Sequence, residues 1–198
     1  MNAQQTYEEQ THETETPTPG PAEDYRAKAA AITVLLDAAS ERDWERPTPC
    51  EEWTVRDLVD HLIDSEADFL AERGLAIGRL ADADPSESWR RHAAVVTDLL
   101  EDPEIGPLEY DGHFGRTTIG ATMAGFYGWD LIVHRWDLAR ALGADEELTE
   151  DELDEIEAAL PGFGDALYGP GICAAPVEVG DDEPRQVRLL ARLGRDAR

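Results

Sequence analysis

Asp130 and His134 lie four residues apart in the stretch GWDLIVHRWDLARALG, residues 128–143. On a helix, that spacing puts both side chains on one face, one turn apart. This is the geometry with which a carboxylate and an imidazole grip a metal ion. A third donor, His61, sits in TVRDLVDHL on the inward face of another expected helix. Two imidazole nitrogens and one carboxylate oxygen suit Zn²⁺, and three protein ligands leave a coordination position open for water or a substrate. Fe²⁺, Mn²⁺ or Ni²⁺ accept the same donors. Each residue also has an ordinary reading. A histidine on an apolar helix face is commonly a hydrogen-bonded core residue, and a carboxylate among 44 acidic residues is commonly solvated or ion-paired. Spacing within one helix does not bring His61 near the other two.

Other residues carry paired readings. His92, three after Trp89, is placed in the core or at its rim rather than on a metal. His113, in DGHFG, is read as part of a surface loop that could close over a site. Asp57 stands one turn before His61 and could orient its ring, but capping duty explains it equally. Asp137 is read as a helix-surface ion pair with Arg140, with a role behind His134 as the alternative. Cys50 is assigned to loop packing rather than to reactivity, and Cys173 stands alone. Trp53, Trp129 and Trp136 are read as packing residues.

The elements that would position these groups follow from periodicity. Tyr25, Ala29, Ile32, Leu35 and Leu36 recur at helical spacing and predict a first amphipathic helix between Ala22 and Ser40. A loop punctuated by Pro47 and Pro49 follows. Thr54 with Asp57 three residues later forms a capping-box signal for a second helix, whose inner face carries Leu58, His61, Leu62, Ser65 and Phe69. Trp89, Ala93, Val96, Leu99 and Leu100 predict a third helix, limited by Pro103. Residues 104–118 read as irregular. A fourth helix spans about Ile119 to Leu142, with Gly143 placed as its C-terminal cap. Thr149 caps an acidic helix that Pro161 and Gly162 are expected to interrupt, and a short extended piece is expected at Pro176–Val179. A basic amphipathic helix ends the chain, its arginines expected to pair with acidic faces.

Composition bounds the class. With 198 residues and 41% hydrophobic residues, the chain can build one domain with a sizeable core. Residues 1–22 lack an apolar period and read as a solvated, disordered acidic tail, leaving residues 23–198 as the folded unit. A net charge of −27 argues against nucleic acid and anionic membrane partners. Two isolated cysteines, no leader-like start and no long apolar run point to a cytoplasmic protein.

Three blocks carry a resemblance: PTPCEEWTVRDLVDHL (47–62), GWDLIVHRWDLARALG (128–143) and RLLARLGRD (188–196). Together they resemble the actinobacterial DinB-like metal-binding proteins related to the N-terminal domain of mycothiol-dependent maleylpyruvate isomerase. The resemblance implies an all-α, up-and-down four-helix bundle, here with a short C-terminal extension. It also implies a metal held by His61, Asp130 and His134. Mycothiol would be the thiol partner and a small electrophile the substrate, in a transferase- or isomerase-like reaction. In that chemistry the metal lowers the pKa of the thiol sulfur; a metal-bound hydroxide doing hydrolysis is the second option. Two departures stand out. The isomerase has Glu where this chain has Asp130, one methylene shorter. It also has a C-terminal domain where this chain has a short stretch, which argues against maleylpyruvate itself as the substrate. A non-catalytic metal-binding or sensing bundle acting through protein partners stays open beside the enzyme reading. So does the oligomeric state, a dimer included.

Overall fold

The computed structural model describes residues 19–50, 52–79, 84–112, 115–145, 147–169 and 172–198. Most of the expected acidic tail, residues 1–18, and the loop residue His113 lie outside them. The described chain is mostly helical, with one small two-stranded sheet.

Helix α1 (Pro21–Ala38) begins with a proline in its first turn, where a missing N–H costs nothing. Its start therefore takes in the last two residues of the expected tail. Helix α2 (Val55–Ala71) opens on the capping box read from sequence: Thr54 accepts from the Asp57 backbone N–H, and the Asp57 carboxylate reaches back to Thr54. Asp57 is thereby committed to the cap and is not an orienting partner of His61. Helix α3 (Pro85–Glu101) is capped by Asp84.

Between α3 and the next helix the chain is more regular than its glycines suggest. Strands β1 (Glu109–Gly112) and β2 (Gly115–Thr118) pair antiparallel, with Tyr110 opposite Thr117. The expected fourth helix then runs in three pieces. A short α4 (Ile119–Thr122) leads into a single π turn (Met123–Tyr127) and then α5 (Gly128–Leu142). The wider turn frees a carbonyl, and Lys28 donates to Ala124 O at 3.1 Å. Gly143, with φ of +71°, ends α5 in the left-handed conformation that glycine adopts without strain.

Helix α6 (Glu150–Phe163) keeps its Thr149–Glu152 capping box. Pro161 does not interrupt it. The proline falls in the last turn, where one lost hydrogen bond is offset by Leu160, only 4% exposed, and by Phe163 packed on Trp129 with ring centroids 4.9 Å apart. Residues 176–179 form no strand, although Val177 N–H bonds Ala191 O. Helix α7 (Arg185–Arg192) closes the chain, and Arg185 reaches Glu150, Asp154 and Glu157 as the charge pattern predicts.

Packing joins α1 to α3 and α5, and α2 to the same two helices, so the four close a ring. Its core includes Tyr25, Ile32, Leu58, Leu62, Trp89, Val96 and Leu138. A second core lies on the other side of α5, where Trp129, Ile132, Val133 and Trp136 meet α6 and α7. Helix α5 is apolar on both sides because it is covered on both sides.

Candidate metal centre

The three residues singled out by type and spacing meet. His61 comes from the second turn of α2, and Asp130 and His134 from adjacent turns of α5. His61 Nε2 lies 3.4 Å from Asp130 Oδ2, and His134 Nε2 lies 3.3 Å from Asp130 Oδ1. All three donor atoms fall within 4.8 Å of one another. Ligands on a tetrahedral Zn²⁺ at about 2.1 Å are separated by roughly 3.4 Å. The donor set therefore fits a divalent metal in type and in spacing.

Behind His134 stands a carboxylate that the charge pattern misassigned. Asp137 does not pair on the surface with Arg140. It is fully buried and accepts from His134 Nδ1 at 2.9 Å. Arg195, from the turn after α7, grips it with Nε to Oδ1 at 3.2 Å and Nη2 to Oδ2 at 2.8 Å. Cys50 donates to the same carboxylate at 3.3 Å and lies 3.9 Å from His134 Nδ1. Cys173 flanks the other edge of the Arg195 guanidinium at 3.8 Å. Both thiols line the site, and Cys50 is not simple loop packing. No spacing rule joins Asp137 to a residue 58 positions later; the RLLARLGRD block was the visible trace of it.

The electrostatics follow the contacts. Burial pushes Asp130 up, but His134 and His61 overcome it and hold its carboxyl well below the usual range. Burial also pushes Asp137 up, and Arg195 and His134 bring it down to about 2. Burial pushes His134 down, yet Asp130, Asp137 and Cys50 raise it well above an ordinary histidine. Burial raises the Cys173 thiol against the pull of Arg195.

A cavity of about 680 Å³ opens over the three donors. Trp53 covers one side, its ring 4.7 Å from that of His61, so it is a wall of the site as well as a packing residue. Phe126, Tyr127, Trp129 and Phe163 line another. Trp136 is fully buried packing, as expected. His92 takes no part: it is 7% exposed and lies 2.8 Å from Glu66 Oε2, which also accepts from Tyr25 at 2.6 Å.

The model of the mycothiol maleylpyruvate isomerase N-terminal domain matches residues 25–139. The chain belongs to that family. The matched range contains His61, Asp130, His134 and Asp137 and stops short of Arg195. Two uncharacterised proteins of Mycobacterium tuberculosis, from strains CDC 1551 / Oshkosh and ATCC 25618 / H37Rv, are each 29% identical over 185 residues. The alignment spans 87% of this chain and 96% of each relative. No solved structure matches. Membership supports a metal-binding, mycothiol-related domain. Among the described residues, no helix is long and apolar enough to cross a membrane.

Proposed function

We propose that His61, Asp130 and His134 hold one divalent metal, Zn²⁺ first among the candidates, and that the centre binds mycothiol for transfer to, or isomerisation of, a small electrophile. In this reading α1, α2, α3 and α5 form the DinB-like four-helix bundle, and the protein works in the cytoplasm. The observation that carries it is the open cavity over three donors whose atoms lie within 4.8 Å of one another. A further possible donor, Cys50, lies against the Nδ1 side of His134 rather than the Nε2 side that faces Asp130. A fourth position is thereby left for an exogenous ligand, which favours an enzyme over a closed, structural site.

When bound, the metal would lower the pKa of a thiol and keep it as thiolate near neutral pH. The chain's own residues do the rest. Asp137 accepts the Nδ1 proton of His134, which leaves Nε2 free as a donor atom. Arg195 fixes Asp137. The aromatic walls exclude water and receive the apolar part of the electrophile.

Metal analysis of untagged protein, with and without His61→Ala, tests the site. Substituting Co²⁺ and adding mycothiol should give a near-ultraviolet sulfur-to-metal absorption that is absent in the His61→Ala protein. A wild-type chain that takes up no divalent metal at micromolar concentration would overturn the proposal.

A further inference from the structure

A second cavity, of about 480 Å³, lies under the β1–β2 hairpin. It shares two wall residues with the metal cavity, Phe126 and Tyr127. Both sit in the π turn, so the two spaces adjoin along that turn. The chemistry of the hairpin cavity differs from that of its neighbour. In the metal cavity the lining guanidinium, Arg195, is committed to Asp137 and to Leu193 O. In the hairpin cavity, Arg73 stacks 3.7 Å over the Phe69 ring and 4.2 Å over the Tyr110 ring. Its Nη1 donates to Phe69 O at 2.7 Å and lies 3.5 Å from Glu72 Oε2, while its buried Nε has no partner among the described residues. Tyr110 and Thr122 share a hydroxyl pair at 2.6 Å, and Thr117 adds another hydroxyl to the wall.

The charge of this wall is the decisive feature. The chain has 44 acidic residues, yet no Asp or Glu lines the hairpin cavity among the described residues. Aromatic faces, hydroxyls and a guanidinium are the groups that hold a sugar-like ring. The faces take its C–H side, and the donors and acceptors take its hydroxyls. Distance decides how large the ligand must be. The Arg73 guanidinium, from just past the end of α2, folds back over Phe69, eight positions after His61 and so about 12 Å along the helix at 1.5 Å per residue. A small thiol at the metal does not reach across that span. A thiol carrying ring-sized polar groups does.

We propose that the hairpin cavity receives the hydroxyl-rich body of the same low-molecular-weight thiol whose sulfur occupies the metal's open position. This rests on the thiol reading above and adds a subsite to it. The ligand runs from the metal, past Phe126 and Tyr127, to Arg73.

Calorimetric titration of the zinc-loaded full chain with mycothiol and with N-acetylcysteine, which has the thiol head without the sugars, tests the subsite. Wild type should bind mycothiol at least about tenfold more tightly, the worth of one or two hydrogen bonds. Arg73→Gln should remove most of that preference while leaving N-acetylcysteine affinity and zinc content unchanged. Thr117→Val, a near-isosteric change on a strand, should reduce the preference in the same direction and guards against a folding defect in the arginine variant. Equal wild-type affinity for the two thiols overturns the subsite and leaves the thiol reading standing. So does loss of both affinities in step in the two variants. Binding of neither thiol overturns both.

Discussion

His134 faces two carboxylates from opposite ring nitrogens, and this decides how the site handles protons and metal. Nε2 faces Asp130 and Nδ1 faces Asp137. In the metal-free chain these partners hold a proton on the ring, and the pKa stands well above that of a free histidine. A group raised on folding contributes stability that is complete below its unfolded pKa and is lost as pH rises through its folded value. A metal bound at the proposed site would have to displace that proton. The zinc-induced rise in Tm should therefore be larger at about pH 8 than at about pH 6, on either side of the unfolded histidine value. Paired thermal melts with and without zinc measure it, and an increment that shrinks as pH rises contradicts the ligand role. Asp130 supplies the companion test. Asp130→Glu restores the carboxylate of the isomerase and should retain zinc. Asp130→Asn keeps the shape but loses the charge and should weaken zinc in a chelator competition. Equal zinc affinity of the Asn variant and wild type would remove Asp130 from the ligand set.

At the scale of elements, α5 is the beam of the site, and the turn after α7 locks it from behind. Arg195 is 7% exposed and Asp137 is fully buried. Removing the arginine alone strands a buried carboxylate, a change that costs about 3–5 kcal/mol. Arg195→Met should therefore be strongly destabilised in urea melts. Adding Asp137→Leu removes the stranded charge, so the double variant should recover much of the stability. It should not recover zinc affinity, because nothing then accepts the His134 Nδ1 proton, and such orienting partners are worth roughly 10–100-fold. Recovery of both would make the pair purely structural. This contact also marks where the sequence stops being readable. Caps at Thr54 and Thr149, the inner face of α2 and the Asp130–His134 spacing are local patterns, and they were legible. The π turn, the hairpin and the Asp137–Arg195 pair were not. A π turn differs from α by one register step that periodicity does not resolve. The hairpin strands are four residues each and rich in glycine and polar side chains. Asp137 looked like a surface residue because the second core, which buries it, is assembled from distant segments.

For the whole molecule, the dominant fact is a net charge of −27 with a single lysine. That lysine, Lys28, is spent inside, on Asp24, Glu155 and Ala124 O. Arg185 is likewise shared among three carboxylates of α6. Exposed pairs like those of Arg185 contribute little each, and they do not neutralise a chain in which acids outnumber bases 44 to 17. The folded chain therefore repels itself, more than the expanded chain does, and the same field draws cations toward a donor set that already includes Asp130. Salt should act on these two effects in opposite directions. The screening length falls from about 10 Å at 0.1 M to about 3 Å at 1 M, so long-range repulsion between carboxylates fades first. The buried Asp137–Arg195 contact is screened much less. The Tm of the metal-free chain should rise as sodium chloride is raised over that range, while the on-rate for zinc, measured by stopped-flow, should fall as its attraction is screened. A Tm that falls with salt would mean that the surface ion pairs, Arg185 foremost, outweigh the repulsion.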